Sequence, residues 1–247
     1  MNSAKTDPQL IIFDVDGVLV DVRGSFHRTT LETVRFFTGK KATRQELHRW
    51  KNQSGFNDDW KLSTAWIRAL GGTAEYDEVK KKFEELYWGR NGKGNVASEK
   101  WLLPRASLRR LAGRADLALF TGRVRKETDY TLDRCRVREF FRHIVTVEDV
   151  ARPKPDPEGL LKILQGRDPA QAIYVGDNVD DALAAQAAGV SFLGVLPRSL
   201  HGRRERRALL TKLGAQAILN DVRELEAWLK HEASRKRART RALAKAS

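Results

Sequence analysis

Short apolar runs recur along the chain, and segments of helical length separate most of them. The runs are Leu10–Phe13, Leu117–Phe120, Ile144–Val147, Ala172–Val175, Phe192–Val195 and Ala217–Leu219. Strands that are apolar throughout, alternating with amphipathic helices, are the pattern of a parallel sheet covered on both faces, an α/β fold. The 247 residues, 41% of them hydrophobic, are enough to bury one large core, or a core with a smaller insert. Helix signals fall where this pattern needs them. Asp156 and Pro157 suit the cap and first position of a helix reaching Leu164. Asp180–Ala188 stops at Gly189, and Val222, Leu225 and Leu229 share a face.

One interval breaks the alternation. Between Val20 and Trp101 no strand is evident, and helical stripes replace it. Leu31, Val34 and Phe37 form one stripe, Leu62, Trp66, Ala69 and Leu70 a second, and Val79, Phe83, Leu86 and Tyr87 a third. Thr43 with Glu46 makes a capping box. Trp50, Trp60, Trp66, Trp88 and Trp101 lie in or beside this interval, at spacings that suit a core. Residues 1–22 and 102–229 are therefore expected to form an α/β core, and 23–101 a small all-helical domain inserted after the first strand. Asn91–Asn95 reads as a flexible return connection. No GxxxxGK[ST] phosphate loop occurs.

Composition removes several classes. No apolar run is long enough to span a membrane, and Met1–Pro8 lacks the apolar stretch of a signal peptide. Cys135 is the single cysteine, which excludes an internal disulfide and fits a reducing cytoplasm. The five histidines are scattered, with no HExxH, which argues against zinc. The formal net charge is +14, and Arg198–Lys212 (net +5) with Lys230–Ser247 (net +6) carry 11 of that excess. The segment 230–247 has almost no large apolar residue and is expected to be a frayed helix end or a disordered tail. It could make weak nucleic-acid contacts through counterion release, or simply be solvated. The expected oligomeric state is monomer or homodimer.

The sharpest feature is Leu10-Ile-Ile-Phe-Asp14-Val-Asp16-Gly17. A buried strand runs into two acids whose side chains, two residues apart, point the same way. Ligands of open parallel sheets bind beyond the carboxyl ends of strands. An acidic surface turn is the other reading of this motif. A second acidic cluster, Gly176-Asp177-Asn178-Val-Asp180-Asp181, follows another strand. Acids there also serve as helix caps, a role that suits Asp180 better than Asp177. If the two strands are neighbours, Asp14, Asp16 and Asp177 converge, and hard oxygen donors so grouped suit Mg²⁺. Thr121 and Gly122 end a third strand, where Thr121 could donate to a phosphoryl oxygen or cap a helix. Lys154 stands between Pro153 and Pro155, presented stiffly as a fixed cation.

Taken in order, Asp14-x-Asp16-Gly17, Thr121, Lys154 and Gly176-Asp177-x-x-x-Asp181 resemble the four motifs of the haloacid dehalogenase-like (HAD) superfamily. The resemblance extends over residues 9–229. The helical insert after the first motif is similar to the cap of the phosphoglycolate phosphatase and β-phosphoglucomutase branch. It implies a Rossmann-like core with a mobile cap, and a Mg²⁺-dependent phosphatase acting on a small phosphorylated metabolite. It also implies roles. Asp14 is the nucleophile, and Asp16 the general acid and then base. Thr121 and Lys154 hold phosphoryl oxygens. Asp14, the Asp16 carbonyl and Asp177 bind Mg²⁺, with Asp181 a ligand or a partner behind the ligands and Asp180 its neighbouring alternative. Asp16 argues against a dehalogenase, which lacks that second acid. Lys51 and Lys61 lie in the insert, but nothing in the sequence marks either as a desolvated amine. Gly55 and Asn57, in the polar segment Lys51–Asp59, are expected to face the site. Gly122 and Arg123 are expected beside the substrate, Arg123 either touching its charge or capping the sheet. A phosphomutase shares these motifs. A nucleic-acid or protein-binding module on a retired phosphatase fold is the reading from a different class.

Overall fold

The computed structural model describes residues 8–246, so the reading of Met1–Pro8 falls almost wholly outside the described residues. The chain begins with strand β1 (Leu10–Phe13). A short ribbon, β2 (Val20–Asp21) with β3 (Lys100–Trp101), brackets the helical insert α1 (Phe26–Thr38), α2 (Arg44–Lys51), α3 (Asp59–Ala69) and α4 (Tyr76–Trp88). The core continues with α5 (Arg105–Ala112), β4 (Asp116–Phe120), α6 (Arg125–Cys135), β5 (His143–Val145), α7 (Glu158–Leu164) and β6 (Ala172–Gly176). It closes with α8 (Val179–Ala188), β7 (Ser191–Val195), α9 (Arg203–Lys212), β8 (Ala217–Leu219) and α10 (Leu225–Ala246).

The main sheet has the order β5-β4-β1-β6-β7-β8, with every pairing parallel. This is the doubly wound arrangement, and it puts β1 at the centre, between β4 and β6. The register sets Phe13 beside Leu119 and Val175. Residues just past these three positions therefore converge at one end of the sheet. Side-chain alternation sorts the strands cleanly. Ile11, Phe13, Leu117, Leu119, Ile173 and Val175 pack on the face covered by α5, α6 and α10. Leu10, Ile12, Ala118, Phe120 and Tyr174 pack on the face covered by α7, α8 and α9.

The insert has a separate apolar cluster of Val34, Leu47, Leu62, Trp66, Ile67, Ala74 and Val79. All three stripes fall on helices, and the Thr43–Glu46 capping box forms at the start of α2. The ribbon β2–β3 corrects the expectation of no strand between Val20 and Trp101. Two residues a side are too few to show a period. The ribbon ties together the two connections through which the chain leaves and re-enters the core. The segment expected to be a frayed end or tail continues the backbone of α10 to Ala246, and Leu225 and Leu229 dock its first turns on the core. Among the described residues no helix is long and apolar enough to cross a membrane.

Candidate active site

Asp14 is the first residue past β1, and its N–H donates to the Val175 carbonyl at 2.8 Å, continuing the ladder to β6. The chain then turns back at Gly17, whose φ is +77°. A Cβ at Gly17 would lie 2.3 Å from Asp177 Oδ2, so only glycine lets this turn pass over the second acidic loop. Asp177 follows β6, and Asp181 lies in the first turn of α8. Asp14, Asp177 and Asp181 each offer a carboxylate oxygen within 4.8 Å of the others. The first and fourth main-sheet strands are neighbours, which brings Asp14 and Asp177 together as the sequence leads one to expect, but the third carboxylate of the group is Asp181, whereas the Asp16 carboxylate turns to Arg123.

Lys154, in the loop before α7, is 5% exposed and reaches the centre of this cluster. Its Nζ donates to Asp14 Oδ1 at 2.9 Å, to Asp181 Oδ1 at 2.7 Å and to the Tyr174 hydroxyl at 3.0 Å. The Tyr174 hydroxyl donates to Asp181 Oδ1 at 2.7 Å. Asp181 Oδ2 accepts the N–H groups of Asp177 and Asn178 at 3.1 and 3.2 Å. Asp181 thus holds Lys154 from behind. Thr121, buried after β4, accepts the Arg123 N–H at 3.2 Å and closes the turn there.

Burial raises the Asp14 pKa well above the carboxylate range. Lys154 opposes the rise, and the charges of Asp181, Asp16 and Asp177 add to it. Asp177 is pushed up to about 7 by burial and by Asp181 and Asp16, against Arg206 and Lys51. Burial works to lower the Lys154 pKa, but Asp14 and Asp181 outweigh it and hold the ammonium charged. The cluster therefore carries more buried negative charge than its lysine neutralises. Oxygen-only donors with excess charge fit a hard divalent cation such as Mg²⁺.

A cavity of about 540 Å³ opens above, lined from the core by Asp14, Asp16, Lys154 and Asp177 and from the insert by Gly55 and Asn57. The polar segment between α2 and α3 does face the site. Its contacts with the core are specific. The Ser54 hydroxyl donates to Asp180 Oδ1 at 2.6 Å, and the Gly55 N–H donates to Asp180 Oδ2 at 3.0 Å. Asn178 Nδ2 donates to Asn57 Oδ1 at 2.8 Å. Arg206 Nε donates to Asn52 Oδ1 at 2.7 Å. A Cβ at Gly122 would lie 2.4 Å from Asn57 Nδ2, so glycine permits that close approach. Asp180 is neither the helix cap nor a member of the carboxylate cluster. Asn178 caps α8, accepting the Asp180 N–H at 2.8 Å, and Asp180 engages the insert.

Arg123 lines the cavity, but its guanidinium is committed within the protein. It binds Asp16, Glu99 and Thr131, at 2.7 Å from Nε to Asp16 Oδ1. Arg123 thus lines the cavity, as expected of a residue beside the substrate, while its guanidinium is held by acids of the protein itself. Lys51 also lines the cavity, paired with Asp59 at 3.0 Å. Burial acts to lower its pKa, yet Asp59 takes it above the ordinary lysine value, the opposite of a nucleophilic amine. Glu99, Glu127, Tyr174, Asp59 and Arg206 were not singled out from sequence. Tyr174 carried one signal, a hydroxyl inside an otherwise apolar strand. The Glu127 carboxyl is buried against the cavity, and burial raises it to about 8 despite Arg123, with Asp16 adding to the rise.

A doubly wound sheet with a helical insert after its first strand, and a carboxylate–lysine cluster at the strand tips, defines the class. Residues 11–195 match the family model of haloacid dehalogenase-like hydrolases, and the chain belongs to that family. It is 29% identical over 212 residues to a phosphoglycolate phosphatase of Pseudomonas putida, covering 80% of this chain and 73% of that one. It is 33% identical over 197 residues to an imidazoleglycerol-phosphate dehydratase of Phytophthora nicotianae, covering 76% of this chain but only 43% of the length of that relative. Among solved structures, a predicted phosphoglycolate phosphatase from Haemophilus somnus superimposes with a TM-score of 0.72 at 18% identity, covering 91% of this chain and 99% of that one.

Proposed function

We propose that the protein is a Mg²⁺-dependent phosphatase that hydrolyses a small phosphorylated metabolite through an aspartyl-phosphate on Asp14. The observation that carries this reading is the buried contact of Lys154 with Asp14 at 2.9 Å, inside a group of three carboxylates. A nucleophilic carboxylate must be ionised beside a phosphate dianion, and a lysine fixed on one of its oxygens favours that state. Asp14, Asp177 and the Asp16 carbonyl are the residues to hold the cation. Asp181 is either a further ligand or, through its bond to Lys154, a support for the ligands. When bound, Mg²⁺ offsets the repulsion between Asp14 and the phosphoryl group.

In the first step an Asp14 carboxylate oxygen bonds to phosphorus and the bond to the leaving oxygen breaks. Asp16 delivers the proton that the departing alcohol requires. In the second step water attacks phosphorus, Asp16 takes its proton, and Asp14 leaves as a carboxylate. Lys154 and Thr121 hold phosphoryl oxygens throughout. Gly55, Asn57 and Gly122, where insert and core meet over the cavity, shape selectivity. The pocket's size, and charged side chains set among apolar ones in its lining, suit a small metabolite. The test is release of inorganic phosphate from a panel of phosphorylated metabolites and p-nitrophenyl phosphate, with and without Mg²⁺. Turnover that needs Mg²⁺ and falls by at least about 10³-fold in Asp14→Asn supports the reading. Turnover that survives the substitution contradicts it.

A further inference from the structure

Arg123 and Glu99 form a fully buried ion pair beside the cavity, with both side chains at 0% exposure and Nη2 to Oε1 at 2.9 Å. Each is saturated. Arg123 Nε and Nη2 both reach Asp16 Oδ1, at 2.7 and 2.6 Å, and Nη1 donates to Thr131 Oγ1 at 2.8 Å. Glu99 also accepts the Tyr87 hydroxyl at 2.9 Å and the Thr131 hydroxyl at 3.0 Å. The guanidinium lies over the Phe26 ring, 5.0 Å from its centroid. These partners come from six places: the loop after β1, the start of α1, the end of α4, the connection entering β3, the turn after β4, and α6. Asp16 alone among the carboxylates of this network is partly open to the cavity, with a side chain 30% exposed.

A buried ion pair is a poor stabiliser, because apolar side chains of similar volume usually do as well or better. Its return here is geometric. A planar guanidinium gripped on one edge by Glu99 cannot rotate, so its other edge fixes the carboxylate it binds. Both contacts to Asp16 fall on Oδ1, which leaves Oδ2 as the oxygen to exchange a proton with the leaving group.

We propose that Arg123 and Glu99 are positioning residues that orient Asp16 for proton delivery to the leaving oxygen. This rests on the phosphatase reading above. It also places one anchor of the catalytic acid, Glu99, on the connection returning from the helical insert, so the insert's attachment and the chemical step share a residue.

The test separates orientation from general structural damage by the leaving group. A p-nitrophenolate departs without a proton, whereas an alkoxide needs one. In Glu99→Gln and in Arg123→Lys, kcat/KM for an alkyl phosphate, which reads the steps through departure of the leaving group and not the later water attack, is expected to fall by about ten- to a hundredfold, a fraction of a full general-acid effect. With p-nitrophenyl phosphate kcat/KM should change by less than about threefold, whatever happens to the water-attack step that both esters share. In an Asp16→Asn background the same substitutions should add nothing further to the alkyl phosphate loss. Glu99→Asp, which keeps the charge that Arg123 needs, is measured beside Glu99→Gln and should recover part of the alkyl phosphate rate. Equal losses of kcat/KM on both esters, or full additivity with Asp16→Asn, would overturn the proposal. Variants that fail to melt cooperatively at every position would assign the pair to folding alone, which also overturns it. Wild-type protein that turns over neither ester with Mg²⁺ would instead sink the phosphatase reading.

Discussion

The core side and the insert side of the cavity are held by different kinds of bond. On the core side, Asp14, Lys154, Tyr174 and Asp181 are each at most 5% exposed and are joined in one hydrogen-bonded cluster. On the insert side, the segment from Asn52 to Asn57 meets the core through separate side-chain contacts with Arg206, Asp180 and Asn178. Charges buried among one another cannot be moved singly, because each loss strands a partner in low dielectric. The insert-side bonds end on buried groups too, with Asp180 1%, Arg206 2% and Asn178 7% exposed, but they are separate from one another, and losing one costs about 1–3 kcal/mol. The lesson is a division of labour. The core half, where each charge depends on the others, should tolerate little change, and the insert half, held by separate bonds, should tolerate more.

The largest effect should come from breaking the core side. Lys154→Met leaves Asp14 and Asp181 without their shared cation. It should destabilise the protein by about 3–5 kcal/mol in denaturant unfolding without Mg²⁺ and cut turnover by about 10²–10³-fold. A change within experimental error would break the comparison.

A second prediction concerns the cation. The raised pKa of Asp177, about 7, means that the folded protein binds a proton there which the unfolded chain, near 3.9, has released. That contribution to folding is therefore lost as pH rises from about 4 towards 7. Mg²⁺ must displace the proton, so its apparent affinity should rise by up to tenfold per pH unit below 7 and level off above it. Isothermal titration with Mg²⁺ from pH 5.5 to 8.5 reads this directly, and a flat profile would remove Asp177 from the binding set.

The smallest effect sharpens the other side. Ser54→Ala deletes the hydroxyl that Asp180 accepts at 2.6 Å but leaves the Gly55 N–H in place. It should raise KM by about two- to tenfold, with kcat little changed, the equivalent of one hydrogen bond. A fall in kcat with unchanged KM would put this contact on the chemical side.

These two halves also differed in how legible they were. The strand tips were readable because the ends of apolar runs are visible in sequence, and a central strand must bring its terminus beside those of its neighbours. Asp14 and Asp177 are legible in that way, Lys154 from the prolines on either side of it, and Asp181 from the resemblance to the family's fourth motif. The insert's helices were readable from their periods, and Gly55 and Asn57 from the polarity of one interhelical segment. Glu99 carried no such signal. It sits between Ser98 and Lys100 in a segment without periodicity, and its burial follows from tertiary packing under Arg123 and Tyr87. Arg123 was noticed for its charge, but a sequence cannot show that an arginine has already found its acids. Asp180 was misassigned for a related reason, since a cap preference is local and Asn178 two residues earlier fills that role.

The account turns on a covalent bond to one oxygen-bearing side chain. Quenching the enzyme during steady turnover and reducing it with borohydride converts an acyl phosphate into an alcohol, and peptide mass mapping locates the product. The expected result is homoserine in place of Asp14, in amounts that track turnover and vanish in Asp14→Asn. Vigorous hydrolysis with Asp14 unmodified, or with the reduced residue at another position, would contradict it.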